Sequence, residues 1–267
     1  MRIRLKKFLL WLKSLLLGNL SVLLFFAAWE VLPRYGIIDK TLIPTFSSVV
    51  QKIYSLAAAG QLFKHVAISL QRAGLGFLLA SAVAIPGGFL LGGLFKALEK
   101  MLIPLLRLLE KINPFALFPV FILIFGIGEV SKVAMIFWVC QWPILFNTIM
   151  GAKGMDPLLI KSARSMGASR KTLFFKVILP SATPAIFNGL KLGAQIAFLI
   201  VVSAEMMGAS KGMGWLTVNA QATYKITQLY GATLCITFIG VVINKVFREI
   251  ESRFLTWRET AFEGHGK

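Results

Sequence analysis

The sequence predicts an all-α, polytopic membrane protein with about six transmembrane helices, and three observations carry that expectation. Apolar residues make up 57% of the chain, well above the roughly 45–50% of soluble domains, and the mean hydropathy is +0.77. Several apolar runs approach the ~20 residues that cross a bilayer as a helix. The basic residues behind the formal charge of +18 fall in the gaps between those runs. A nucleic-acid binder would gather them on one soluble face, so that class of partner is not expected.

In chain order, the expected spans are 15–32, 73–95, 115–127, 133–150, 184–207 and 230–246. The first follows a basic start (Arg2, Arg4, Lys6, Lys7) that also fits a signal peptide. Its apolar run continues through Trp29, Val31 and Leu32 without a small-x-small cleavage site, so a retained span is expected. Ser47 and Ser48 precede Val49, Val50, Ile53, Tyr54 and Leu56 at helical spacing, which predicts a capped amphipathic helix outside the membrane. The third span is short and interrupted by Pro114, Pro119 and Gly126. It is expected either to be completed by 101–109 or to remain a broken helix buried among its neighbours, with Asn113-Pro114 as a candidate gate element.

Orientation follows from the loops. With the N-terminus inside, 1–14, 96–111, 153–180 and 245–267 hold twenty basic residues against seven on the other side. That bias places both termini in the cytoplasm. Topology therefore accounts for most of the positive charge, and contact with anionic lipid follows from it. Gly88 with Gly92, and Gly189 with Gly193, share helical faces and should let helices of the same chain approach closely.

Polar groups inside apolar runs are candidates for function by default. Glu30, Arg72 and Glu205 lie at span ends on one side, where a salt bridge of Arg72 with Glu205 or Glu30 is expected to be structural. Gln141, Asn147 and Gln195 are candidates for lining a path or bonding between helices. Lys191 is expected to snorkel. Cys140 and Cys235 are far apart within apolar runs and read as buried hydrophobes. His65 and His265 are isolated, so no metal site or cofactor is expected. No Gly-x-x-x-x-Gly-Lys-Ser/Thr loop occurs, and no catalytic constellation is visible in the spans. Energy for any active process must come from another subunit.

The most informative stretch is the basic loop at 153–180. Asp156-Pro157 makes a helix start, and Gly167 a C-cap. Ser169 can then cap a second helix carrying Leu173, Phe174, Val177 and Ile178 up to Pro180. Exposed Met166, Phe174 and Phe175 on this helix–glycine–helix elbow fit either the membrane interface or a groove on a cytoplasmic partner.

A resemblance favours the partner. The loop resembles the coupling motif of bacterial ABC importer permeases: Glu-Ala-Ala, three residues, Gly, nine residues, Ile-x-Leu-Pro. Ala163, Gly167, Leu179 and Pro180 match, Val177 stands in for isoleucine, and Lys161-Ser162 replace Glu-Ala. Further stretches extend the resemblance in order from Pro44-Thr45 nearly to Trp257. They are Phe125-Gly126-Ile127-Gly128-Glu129, Pro143 to Thr148, Asp156-Pro157, Gly167-Ala168-Ser169 and Ala204 to Ala209. Together these are similar to the nitrate/sulfonate/taurine-type permeases, a family that also carries vitamin precursors.

The resemblance implies a MetI-like permease in the bacterial inner membrane, with 1–267 as one transmembrane domain, its core at about 60–250 and its coupling loop at 153–180. It implies no catalysis by this chain. Two ATP-binding-cassette ATPase subunits, an extracytoplasmic solute-binding protein and a second permease copy, as a homodimer, would complete the importer. Lys161, Ser162, Ala163, Gly167, Ala168, Leu179 and Pro180 would meet the ATPase. Lys161 reverses the charge of the family's acid, so a compensating acidic residue on the cognate ATPase is expected. The rival class is an autonomous transporter or channel, which would carry more buried ionisable residues or matching broken helices in two repeats.

Overall fold

The computed structural model describes residues 20–94 and 96–254, which contain helices and no strand. The helices are α1 (Leu20–Arg34), α2 (Phe46–Ala58), α3 (Gln61–Phe89), α4 (Lys96–Glu110), α5 (Pro114–Phe125), α6 (Glu129–Lys153), α7 (Pro157–Ser165), α8 (Arg170–Leu173), α9 (Leu179–Gly208), α10 (Met213–Ala222) and α11 (Ile226–Phe254). A π-helical turn, Leu90–Leu94, extends α3, and another, Phe174–Ile178, joins α8 to α9.

Among the described residues, four helical stretches are long and apolar enough to cross a membrane: Gln61–Gly93, Glu129–Lys153, Arg170–Gly208 and Ile226–Arg253. A fifth crossing is available if α4 and α5, bent by 94°, act as one span. The expected six spans are therefore met only approximately. The span at 15–32 is described from Leu20 onward, and residues 1–19 lie outside the described residues. The interrupted third span takes the broken form. Asn113 closes the break by accepting the Phe115 N–H at 2.9 Å on its side chain, with Pro114 opening the new helix. In the structure its side chain serves as a helix cap.

The chain divides into two compact units, one from the described residues up to 63 with Thr217–Cys235, the other from Lys64–Leu216 with those from Ile236 on. In the smaller unit, α2 begins as expected but is capped differently. Thr45 takes the cap position without a side-chain bond. Instead, the Glu30 carboxylate of α1 accepts the Ser47 N–H at 2.9 Å and its hydroxyl at 3.0 Å. A negative group at a helix N-terminus meets unsatisfied N–H groups and the positive end of the helix dipole. Glu30 also pairs with Arg34. Trp29 donates to the Pro44 carbonyl at 3.0 Å and packs on Tyr230.

In the larger unit, α6 lies against both α3 and α9, and glycines permit the approach. A Cβ on Gly88 would stand 2.5 Å from Thr148 Cβ, and one on Gly92 would stand 2.9 Å from the Ile149 carbonyl. On the other flank, Gly189 would meet the Pro143 carbonyl at 3.0 Å, and Gly193 the Ile144 side chain at 3.0 Å. Both glycine pairs thus serve packing within the chain, as expected. Gly76, which the pattern reading did not single out, does the same against Ile136. Met135, Ile136, Cys140 and Ile144 are fully buried between these helices. The Cys140 thiol donates a hydrogen bond to the Gly193 carbonyl at 3.3 Å.

Candidate functional site

The connection from α6 to α9 is a rigid elbow built by local rules. Asp156 accepts the Leu158 N–H at 2.8 Å and Pro157 occupies the first helical position of α7. At the other end, Gly167 has φ +76. Its N–H bonds the Arg164 carbonyl and the Ala168 N–H bonds that of Ala163. This crossed pair satisfies the last carbonyls of α7 and requires a left-handed residue, which glycine adopts without Cβ strain. Ser169 caps the next turn by accepting the Thr172 N–H at 3.2 Å.

The second arm departs from expectation in two ways. It does not stop at Pro180, because the π-helical turn Phe174–Ile178 feeds directly into α9 with Pro180 in its first turn. Phe174 is half-buried, edge-on to Phe89 at 5.2 Å, and packs with Ile178 and Leu179 on a cluster of Phe89, Ala152, Ala182 and Ile186. One face of the elbow is therefore anchored to the spans. The other face leaves Leu158, Leu159, Met166 and Phe175 exposed, with Met166 at 81%. Ala163 is buried and Ala168 half-buried, while Lys161, Ser162 and Pro180 are exposed.

At the opposite ends of α6 and α9 lies a buried charge cluster. The Arg72 side chain is 6% exposed and that of Glu205 is 0%, whereas Glu129 is 64% exposed. Arg72 Nη1 donates to Glu205 Oε1 at 2.7 Å and to the Lys211 carbonyl at 2.8 Å. Its Nε and Nη2 form a two-pronged pair with Glu129 at 2.5 and 2.6 Å. The Ser69 hydroxyl lies 2.8 Å from both Glu205 oxygens and accepts the Met213 N–H at 2.9 Å. Glu205 also accepts the Gly214 N–H at 3.0 Å, and His65 Nδ1 accepts that of Gly212. Any Cβ at Gly212 or Gly214 would run into Glu205 or the Val202 carbonyl. The start of α10 is thereby seated on the carboxylate.

The expected Arg72–Glu205 pair is present, while Glu30 bonds Ser47 and Arg34. Glu129, the second partner of Arg72, was not anticipated. The apolar pattern does not connect residues 57 positions apart. Lys191 does not merely snorkel. It pairs with Glu251 of α11 at 2.8 Å. Lys153, at the elbow end of α6, pairs with the buried Glu99 of α4.

The three polar candidates within spans do not converge. Asn147 donates to the Pro143 carbonyl at 2.8 Å and accepts from Asn188 at 2.9 Å. These amides line a cleft of about 560 Å³ with Gly151, Gly154, Ser181 and Ala185, at the elbow end of α6 and α9. Gln195 instead donates to Asn244 of α11 at 3.0 Å. Gln141, half-buried on α6, lies on a different face from Asn147, because six residues turn a helix through about 600°. No group of three or more metal-ligating side chains occurs among the described residues.

Apolar spans, a capped intervening elbow and a polar cleft beside it describe a multi-pass membrane protein. Residues 84–250 match the family of binding-protein-dependent transport system inner membrane components. The chain belongs to that family and is a permease of the ABC importer class in the inner membrane. It is 34% identical to the Bacillus subtilis protein named as the aliphatic sulfonates transport permease SsuC, over 95% of this chain and 90% of that one. Identity to the Escherichia coli taurine transport system permease TauC is 28%, over 91% and 90%. To the Leptolyngbya laminosa nitrate import permease NrtB it is 31%, over 72% and 68%. The fold matches a chain of the inward-facing MetNI methionine ABC transporter at TM-score 0.64 and 16% identity, over 74% of this chain and 98% of that chain. The expected MetI-like all-α architecture is thus present.

Proposed function

We propose that this permease passes a small oxyanion, handed over by an external solute-binding protein, and that ATP hydrolysis in separate cassette subunits drives it through the elbow at 157–180. Sulfonates, taurine and nitrate in the relatives' names share a compact, oxygen-rich anionic group. The supporting observation is the elbow itself. Its frame is fixed by Asp156, Gly167 and Ser169, yet Leu158, Leu159, Met166 and Phe175 have no apolar cover. Such a patch on a rigid support is what a groove on a partner protein recognises.

In this reading the termini are cytoplasmic, and residues 1–267 form one transmembrane domain with its core at about 60–250. Two copies make the pathway, and the basic loop ends contact anionic lipid. Force on the elbow reaches α6 and α9 together, because the glycine contacts allow little slip between them. The Asn147–Asn188 cleft is the inner mouth of the path, and Arg72, Glu129 and Glu205 brace the opposite end. Lys161 meets an acidic residue of the ATPase.

The test is transport by the reconstituted importer with Gly167→Arg. A Cβ there meets nothing within 4 Å, so the side chain projects from the elbow surface. The expected result is loss of transport with the permease still inserted. Unchanged transport, or transport by this chain with no ATPase, would overturn the proposal.

A further inference from the structure

A second cleft, in the smaller unit, has the makings of an anion site. It measures about 750 Å³ and is formed by the loop before α2, one face of α2 and the turn from α10 into α11. Lys40, Lys52 and Lys225 line it, and no carboxylate does. The nearest acid along the loop, Asp39, is occupied by the Thr41 N–H and hydroxyl, both at 2.8 Å. Three ammonium groups on one concave surface raise the local concentration of anions.

Two further features point into the same space. The cleft wall includes Ile226, Thr227 and Gln228, the first turn of the 29-residue α11. The N–H groups of Ile226 and Thr227 find no acceptor among the described residues, which bond Gln228 N and Leu229 N to the Lys225 carbonyl. A helix start of this kind favours an anion through its free donors and dipole. Gln228 is only 9% exposed, and its side-chain amide bonds no described residue. Gln228 lines the cleft, so this free amide is open to a ligand oxygen.

The turn leading into α11 adds a strained residue at the lip of the cleft. Tyr224 has φ +52, the one described residue other than glycine with positive φ. Its N–H bonds the Gln221 carbonyl and the Lys225 N–H bonds that of Ala220, the closure that Gly167 makes at the end of α7. Here a tyrosine occupies the glycine position and lines the cleft. The backbone thus accepts strain while presenting a phenol and setting Lys225 beside the start of α11.

We infer that this cleft is a binding site for a small oxyanion, held by Lys40, Lys52, Lys225, the Gln228 amide and the first turn of α11. The ligand class follows from these donors. Lysines act as point charges, and the amides supply directional bonds to a tetrahedral or planar oxygen cluster. In the orientation proposed above, the site faces outward.

The test is calorimetric titration of ethanesulfonate, and separately sulfate, into the full-length permease in neutral-lipid nanodiscs at low ionic strength. With no ATPase present, failure of this site is distinguishable from failure of the coupling proposal. Saturable binding is expected, weakening as salt rises. Lys52→Gln and Lys225→Gln should each weaken it about tenfold or more, the scale of one charge-assisted bond. Lys→Arg replacements should retain it. Gln228→Glu, aimed at the same oxygens, should abolish it, with thermal unfolding confirming that each variant is folded. Absence of saturable binding, or unchanged affinity in both the lysine variants and Gln228→Glu, would overturn the assignment.

Discussion

The two ends of the α6–α9 pair use their side chains in opposite ways. At one end, Arg72, Glu205, Ser69 and the turn at 211–214 satisfy one another inside the protein. At the other, the backbone of the elbow is capped throughout, but its apolar side chains face outward. A region whose polar groups are all mutually satisfied has little left to offer a ligand and reads as a brace. A region that is locally rigid and apolar outside reads as a surface awaiting a partner. The difference between them should appear as stability at the first and coupling at the second.

The largest stability effect should come from Glu205→Leu. It leaves Arg72 with Glu129 and the Lys211 carbonyl but removes its buried carboxylate partner and the acceptor of the Ser69 hydroxyl and the Gly214 N–H, and breaking a buried pair costs about 3–5 kcal/mol. Thermal unfolding in detergent should show a large loss, and little monodisperse protein should be recovered. Glu129→Gln touches the exposed partner and should cost roughly 1 kcal/mol or less. Equal effects of the two would erase the contrast between a buried anchor and an outer limb.

Next in size is Gly88→Val. Its Cβ would lie 2.5 Å from Thr148 Cβ, and forcing apart a packed interface costs about 1–3 kcal/mol. Unfolding of the variant permease would measure that cost, and a wild-type melting curve would remove the glycine contacts from the account. A smaller effect is expected for Asn188→Leu, which deletes the bond to Asn147. It should cost about 0.5–1.5 kcal/mol, while lowering transport more than that loss explains. Transport that falls only in proportion to stability would assign the amide pair to packing alone.

The smallest stability effect belongs to Lys161→Glu. The residue is exposed, so unfolding should shift by no more than about 0.5 kcal/mol. Assembly with the native ATPase should nonetheless weaken, as read by co-purification. Tighter assembly would contradict the predicted acidic partner.

Local chemistry was legible in the sequence, whereas long-range pairing was not. Asp156, Gly167 and Ser169 act within three or four residues of themselves, so their caps followed from residue type and spacing. The spans followed from apolar length, and the break at Asn113-Pro114 from the prolines. Pro180 misled because proline reads as a stop, whereas the chain stays helical through it by way of the π-helical turn at Phe174–Ile178. Glu129, Glu99 and Glu251 escaped notice because each finds its basic partner on another helix, and periodicity carries no information about which helices meet. The helix α10 was missed for a related reason. Its start is set by Glu205 and Ser69 rather than by its own residues. The basic cleft likewise depends on Lys40 and Lys52, from the loop before α2 and from α2 itself, coming together with the distant Lys225, and by sequence these read only as topology charges.

The central claim is that the elbow couples this permease to a cytoplasmic ATPase, and one measurement tests it most directly. The importer would be purified from its native membrane in mild detergent with either wild-type permease or Gly167→Arg, and ATPase stoichiometry scored alongside permease unfolding. A left-handed arginine costs about 1–2 kcal/mol, so the variant should stay folded with a modest loss of stability while losing its ATPase. Stoichiometric ATPase retained by a folded Gly167→Arg permease, with transport intact, would contradict the account.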